Sequence, residues 1–139
     1  MAKFWKLAPA LLFIILGAGC AFDVIYLKEK PVTFTAANGS ANDDFVLKGY
    51  WKVEIGTGYP TFLRGDTHWH CVGTTEYGRV YSTRDQLLTV EASNIYEAFL
   101  VVADQTITGF YLPVEKIFTP ASHPVHITTE SIISTQKTS

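Results

Sequence analysis

The chain has 139 residues, 11 basic against 13 acidic, a net charge of −2, and 47% hydrophobic residues of which the aromatics are a large share. No basic excess or basic stripe is available to neutralise phosphates, so nucleic acid is excluded as an expected partner. Catalytic signatures are also missing: no Gly-x-Ser-x-Gly elbow, His-Glu-x-x-His helix, phosphate-cradling glycine loop or dinucleotide fingerprint occurs.

The N-terminal segment is laid out as an export signal. Lys3 and Lys6 form a positive start, residues 7–16 are almost wholly apolar, and Gly17, Ala18 and Gly19 lead to Cys20. The apolar run is about a dozen residues, short of the roughly 20 that span a bilayer, so a cleaved signal over residues 1–19 is expected. The stretch Leu16-Gly17-Ala18-Gly19-Cys20 resembles the lipobox of bacterial lipoproteins, with Gly17 where leucine is commonest in that family. The resemblance covers only the first 21 or so residues. It implies that Cys20 is diacylated and becomes the new N-terminus, and that Ala21, in place of Asp, directs the protein to the outer membrane facing the periplasm. An ordinary signal cut near residues 18–21 would instead leave Cys20 able to pair with Cys71, since an exported context permits disulfides. Loss of residues 1–19 leaves 9 basic against 13 acidic residues.

Beyond Cys20, β-formers dominate and no long 3.6-residue period appears. Residues 31–36 read as a short strand and Asn38-Gly39-Ser40 as a turn. Residues 45–55 alternate, with Phe45, Leu47, Trp51, Val53 and Ile55 on one face and Lys48, Lys52 and Glu54 on the other. Further strands are expected over 63–72, 77–82, 86–91, 95–102 and 106–112, with a hairpin turn at Ala103-Asp104-Gln105. Residues 93–97 could alternatively form a helical turn. Pro113 is expected to take the chain out of the sheet, and Pro120 and Pro124 to keep it extended but unpaired. The Ser/Thr-rich tail, residues 127–139, is expected to fray. The predicted fold is all-β: a small antiparallel meander closing as a barrel or sandwich over residues 37–126, preceded by a lipidated N-terminus and first short strands over 20–36.

Residues 65–71, Gly-Asp-Thr-His-Trp-His-Cys, carry the densest chemistry. His68 and His70 share one strand face, and His123 and His126 lie on one side of an extended segment, so four imidazoles could meet around zinc or copper. Trp69 and Cys71 alternate to the other face, where they would pack inward. A nucleophilic Cys71 in a hydrolase would need a base, and its neighbour His70 points away from it. Asp43 and Asp44 read as a solvated turn, and Arg64-Gly65-Asp66 as a bend. Tyr50, Trp51, Tyr59, Phe62, Trp69, Tyr77 and Tyr81 fall within a window of 32 residues. They cannot all enter one core, so Tyr50, Tyr59, Trp69, Tyr77 and Tyr81 are candidate interface residues, unless the terminal segments cover the second face. The expected function is binding without catalysis and without a cofactor: a lipid-anchored cell-envelope protein that is an accessory component of a membrane-associated assembly. Its partners would be the membrane, through the lipid, and another envelope protein. A periplasmic metal-binding protein and a cysteine hydrolase are the alternatives.

Overall fold

The computed structural model describes residues 24–38 and 43–132. The proposed signal and Cys20 lie outside the described residues. The fold is all-β and antiparallel, as the alternation predicts. Its frame is the series β3 (Phe45–Lys48), β6 (Thr67–Thr75), β7 (Gly78–Ser82), β10 (Phe99–Ala103), β11 (Thr106–Leu112) and β12 (Ile117–His126), each paired with the next. Two short ribbons interrupt this meander. β4 (Trp51–Val53) pairs with β5 (Thr61–Leu63) between β3 and β6, and β8 (Thr89–Glu91) pairs with β9 (Ile95–Glu97) between β7 and β10.

The two ends of the series are joined by one run of chain. β12 passes through the single residue Ile127 into β13 (Thr128–Ser131), and β13 pairs with β3 at the other end of the strand order. The sheet must therefore curl until both ends reach the same segment. Inside the curl lies the main core, with Leu47, Leu63, Trp69, Leu100, Ile107, Phe110 and Leu112 all at 0% exposure. Each such side chain stabilises the fold by about 1.5–3 kcal/mol relative to exposure.

Several strands break where the alternation alone predicts continuity. Residues 45–55 keep one buried face, but Gly49 at φ +83° turns the chain between β3 and β4, and the Trp51 Nε1 donates to the Lys48 carbonyl at 2.6 Å across that turn. The expected strand over 63–72 starts later and runs further, because a bend at residues 64–66 precedes β6; Asp66 adopts φ +60° and its N–H donates to the Leu47 carbonyl at 2.7 Å. Residues 95–97 are strand rather than a helical turn, and Ala98 separates them from β10. Asp104 and Gln105 both take positive φ, +50° and +60°, as a two-residue hairpin turn requires.

The largest departures follow Pro113. A turn closed by the Lys116 N–H on the Leu112 carbonyl, 2.8 Å, returns the chain as β12 against β11, so this segment stays in the sheet. Pro120 is tolerated opposite Gly109 because the register jumps there; residues 121–124, including Pro124, are unpaired with β11 as expected, and the Ser122 N–H donates instead to the Glu54 carbonyl at 2.7 Å. The expected frayed tail is structured through Ser131, because Ile127 is buried and its N–H donates to the Gln105 carbonyl at 2.9 Å, which delivers β13 to β3.

The outer face of the sheet also carries apolar residues, Val80, Val101, Tyr111 and Phe118. They are covered by an N-terminal strap whose β1 (Lys30–Pro31) pairs with β12 and whose β2 (Thr35–Ala36) pairs with β6. Phe34 stacks on Tyr111 with centroids 4.9 Å apart, and Tyr77 stacks on Phe118 at 4.1 Å. Gly73 makes the strap's approach possible: a Cβ there would lie 2.4 Å from the Phe34 ring and 2.5 Å from the Thr35 carbonyl oxygen. Gly73→Ala should therefore destabilise the fold by about 1–3 kcal/mol, read as a lower urea midpoint with an unchanged slope. A midpoint equal to that of the parent protein would show that the strap does not contribute to stability.

Candidate functional site

The chemically loaded stretch sits on β6, and its side chains divide as period two demands: Thr67 and Trp69 are buried, His68 and His70 exposed. The two imidazoles are held by different carboxylates. His68 Nδ1 lies 3.1 Å from Asp85 Oδ2, which also accepts from the His68 N–H at 2.6 Å. His70 Nδ1 lies 2.9 Å from Asp44 Oδ2, while Asp44 Oδ1 accepts from the Cys71 N–H at 2.9 Å.

Strand lengths explain this arrangement. β7 ends at Ser82, opposite His70, so the His68 N–H has passed the last rung on that side. β3 begins at Phe45, opposite Trp69, so the Cys71 N–H has no β3 residue to meet. In both places an aspartate from the adjoining loop accepts the orphaned N–H and holds the neighbouring imidazole. The Cys71 N–H is partly buried and would otherwise lack a protein acceptor, whereas the His68 N–H is exposed and its bond to Asp85 replaces one to water. Asp43 and Asp44 are thus more than a solvated turn: Asp44 extends the ladder and Asp43 pairs with Arg79.

The four histidines do not converge. β6 and β12 are separated in the sheet by β7, β10 and β11. His123 lies in the irregular part of β12, and His126 Nδ1 is engaged with Thr106 Oγ1 at 2.8 Å. Among the described residues no three His, Cys, Asp or Glu side chains are grouped to hold one metal ion. The expectation of a site built from His68, His70, His123 and His126 is corrected accordingly, because strand order keeps the pairs apart.

Cys71 is half-buried beside the main core, and its thiol donates to the Gly73 carbonyl at 3.5 Å. Burial pushes the thiol pKa up, so the protonated form prevails at neutral pH. His70 is turned to the other face and engaged with Asp44, which leaves the thiol without the activating base a nucleophile needs.

One polar cleft, of about 530 Å³, opens where the β6–β7 and β10–β11 turns meet β13. Phe45, Tyr81 and Val102 form its apolar lining and Asp43, Arg79 and Asp104 its charged rim. The Arg79–Asp43 ion pair joins residues 36 positions apart. Nothing in the local sequence marks it, since it follows from the β6–β7 register that sets Arg79 opposite Thr74.

The candidate interface aromatics part into three environments. Trp69, at 0% exposure, and Tyr81, at 6%, belong to the core and are corrected from the contact set; Trp69 Nε1 donates to Thr67 Oγ1 at 2.9 Å. Tyr77 is half-buried under the strap, between Phe118 and the Lys30 ammonium, which lies 5.9 Å above its ring. Tyr50 and Tyr59 are exposed, at 69% and 47%. Two further apolar side chains join them at the surface: Phe62, whose ring centroid is 6.3 Å from that of Tyr50, and Leu87, at 85% exposure. Phe62 lies between buried Thr61 and Leu63, so strict alternation along β5 is the signal that marks it as outward-facing.

No protein-family model, curated protein or solved structure matches the chain. Among the described residues, no helix is long and apolar enough to cross a membrane.

Two measurements test this geometry. The hydrogen bonds from His68 hold the Asp85 carboxyl below its ordinary range. Its contribution to stability is therefore complete above the unfolded-state pKa, about 4, and is lost as pH falls through the lower folded-state value. Asp85→Asn should flatten that acid limb in urea midpoints measured against pH, whereas an unaltered limb would remove Asp85 from the acid response. Cys71 should react with iodoacetamide much more slowly in the native protein than in urea; equal rates would contradict a packed, protonated thiol.

Proposed function

We propose that this chain is an exported protein of the bacterial cell envelope, anchored by acyl chains on Cys20, that acts by binding another envelope protein and carries out no chemistry of its own. The observation that carries the binding surface is the pair Tyr50 and Phe62. Their rings neighbour one another on the outside of the β4–β5 ribbon, while Val53 and Leu63 on its inner side are fully buried. With Leu87 nearby they form an apolar, ring-rich patch on a short ribbon backed by core. Such rigid aromatic anchors contribute a disproportionate share of binding energy at protein interfaces. The small residues before Cys20 support the anchor, and several acyl chains together hold a protein firmly where one binds only marginally. The outer membrane, facing the periplasm, is the compartment that Ala21 favours.

The anchor is tested by labelled palmitate, which should enter the parent protein and not Cys20→Ser. The contact is tested in intact cells with a photoreactive benzophenone side chain placed at Leu87. A discrete protein adduct should form, and the double substitution Tyr50→Ala/Phe62→Ala should abolish it while changing stability by less than about 0.5 kcal/mol, as exposed positions allow. An adduct of equal yield in the double variant, or at Asp104 on the β10–β11 turn at the opposite end of the strands, would remove this ribbon as the contact.

A further inference from the structure

A second exposed apolar surface lies where the described chain begins. Val24 is 52% exposed, Tyr26 81% and Ile95 69%. These residues are brought to one place by the backbone: the Ile25 N–H donates to Ser93 Oγ at 2.8 Å and the Ser93 N–H donates to the Ile25 carbonyl at 3.1 Å. Ser93 occupies the tip of the β8–β9 hairpin, closed by the Ala92 N–H on the Asn94 carbonyl at 2.9 Å, and Ile95 opens β9. Two residues beyond Ile25, Leu27 is buried in the main core and fixes the segment from the other side. Val24 and Tyr26 are thus held on the body of the domain beside the hairpin tip.

From this we infer that Val24, Tyr26 and Ile95 form a surface that rests on the phospholipid headgroup zone. The inference depends on the acylation of Cys20 proposed above. Val24 lies four positions after Cys20, and four extended steps of chain span at most about 14 Å. An acylated Cys20 lies at the bilayer surface, so the end of the domain fastened at Ile25 cannot stand far from it. A tyrosine suits that depth, because its ring is apolar and its hydroxyl stays hydrated, as in the aromatic belts of membrane proteins. Glu91, paired across the ribbon with Ile95, and Glu97 are both exposed on the same hairpin. Their charges keep the contact at headgroup depth and favour zwitterionic over anionic lipid. The acyl chains supply the affinity, and this surface sets the orientation. The cleft is then directed away from the bilayer, because Asp104 lies at the opposite end of β10 from the β8–β9 hairpin.

The full chain, purified from membranes and reconstituted in vesicles of labelled phosphatidylethanolamine with a minor share of phosphatidylglycerol, tests the orientation. Benzophenone side chains are placed singly at positions 26, 95 and 104, all of them exposed. On irradiation, positions 26 and 95 should give several-fold more phospholipid adduct than position 104. Equal yields at the three positions in a protein that carries labelled palmitate would overturn this surface and leave the anchor standing. A protein without palmitate would overturn both.

Discussion

The constraint on which the rest of this structure depends is the run of chain from Ile117 to Ser131. Its first part pairs with β11 and its last part with β3, although those strands lie at opposite ends of the series. One segment can serve both only if the sheet between them curls, and the curl creates a single interior. Ile127 is the pivot. Its buried side chain and its hydrogen bond to Gln105 fix the point at which β12 gives way to β13. The two ends of the curl then differ for a simple topological reason. The ribbons are inserted at Lys48–Thr67 and at Ser82–Phe99, so they gather at one end and contribute Val53, Ile55, Leu63 and Val90 to the core. The tight turns after β6 and β10 lie at the other end, where the polar cleft opens.

The same logic of unequal strand lengths produces the histidine–aspartate pairs. β6 has nine residues, and neither neighbour matches it over its whole length. Backbone N–H groups left over at such steps need acceptors, and aspartate is a short side chain that reaches them from a loop. Once placed there, each carboxylate also attracts the imidazole that alternation has put on the outer face. The pairing of His68 with Asp85 and of His70 with Asp44 is thus a consequence of sheet architecture, and it uses one ring nitrogen of each histidine. What resembles a metal-binding string in one dimension becomes two strand-edge fastenings in three.

How much of this was legible in the sequence varied with the range of the interaction. Period-two alternation is local, and it correctly set Leu47 and Val53 on the buried face and His68 and His70 outside; for Trp69 it gave the interior, against the reading of that residue as an interface aromatic. Breaks within an alternating run were harder, because a single glycine at positive φ, as at Gly49, leaves the pattern intact on both sides. The segment around Pro120 misled for a definite reason. Proline argues against a ladder only where its missing N–H would be needed, and the register jump opposite Gly109 removes that need. β13 was illegible because nothing in Thr-Thr-Glu-Ser signals pairing; the partner, β3, lies about eighty residues earlier, and the docking of Ile127 decides the matter. The aromatic window combined core, strap and surface residues, which only the tertiary arrangement separates.

The distribution of satisfied and unsatisfied groups bears on function. The reactive-looking side chains are occupied: Cys71 donates to Gly73, His70 and His68 are tied to aspartates, Asp43 is paired with Arg79, and His126 is engaged with Thr106. Among the described residues, Thr119 Oγ1 is a buried polar atom without a partner, and the large apolar side chains left exposed include Tyr50, Phe62 and Leu87 around the β4–β5 ribbon, and Val24, Tyr26 and Ile95 beside the β8–β9 tip. Both sets belong to elements that also reach the core, through Val53 and Leu63 in one case and Leu27 and Val90 in the other. Rings and aliphatic chains held rigidly in water lose little further entropy on being covered, so apolar groups placed this way favour association.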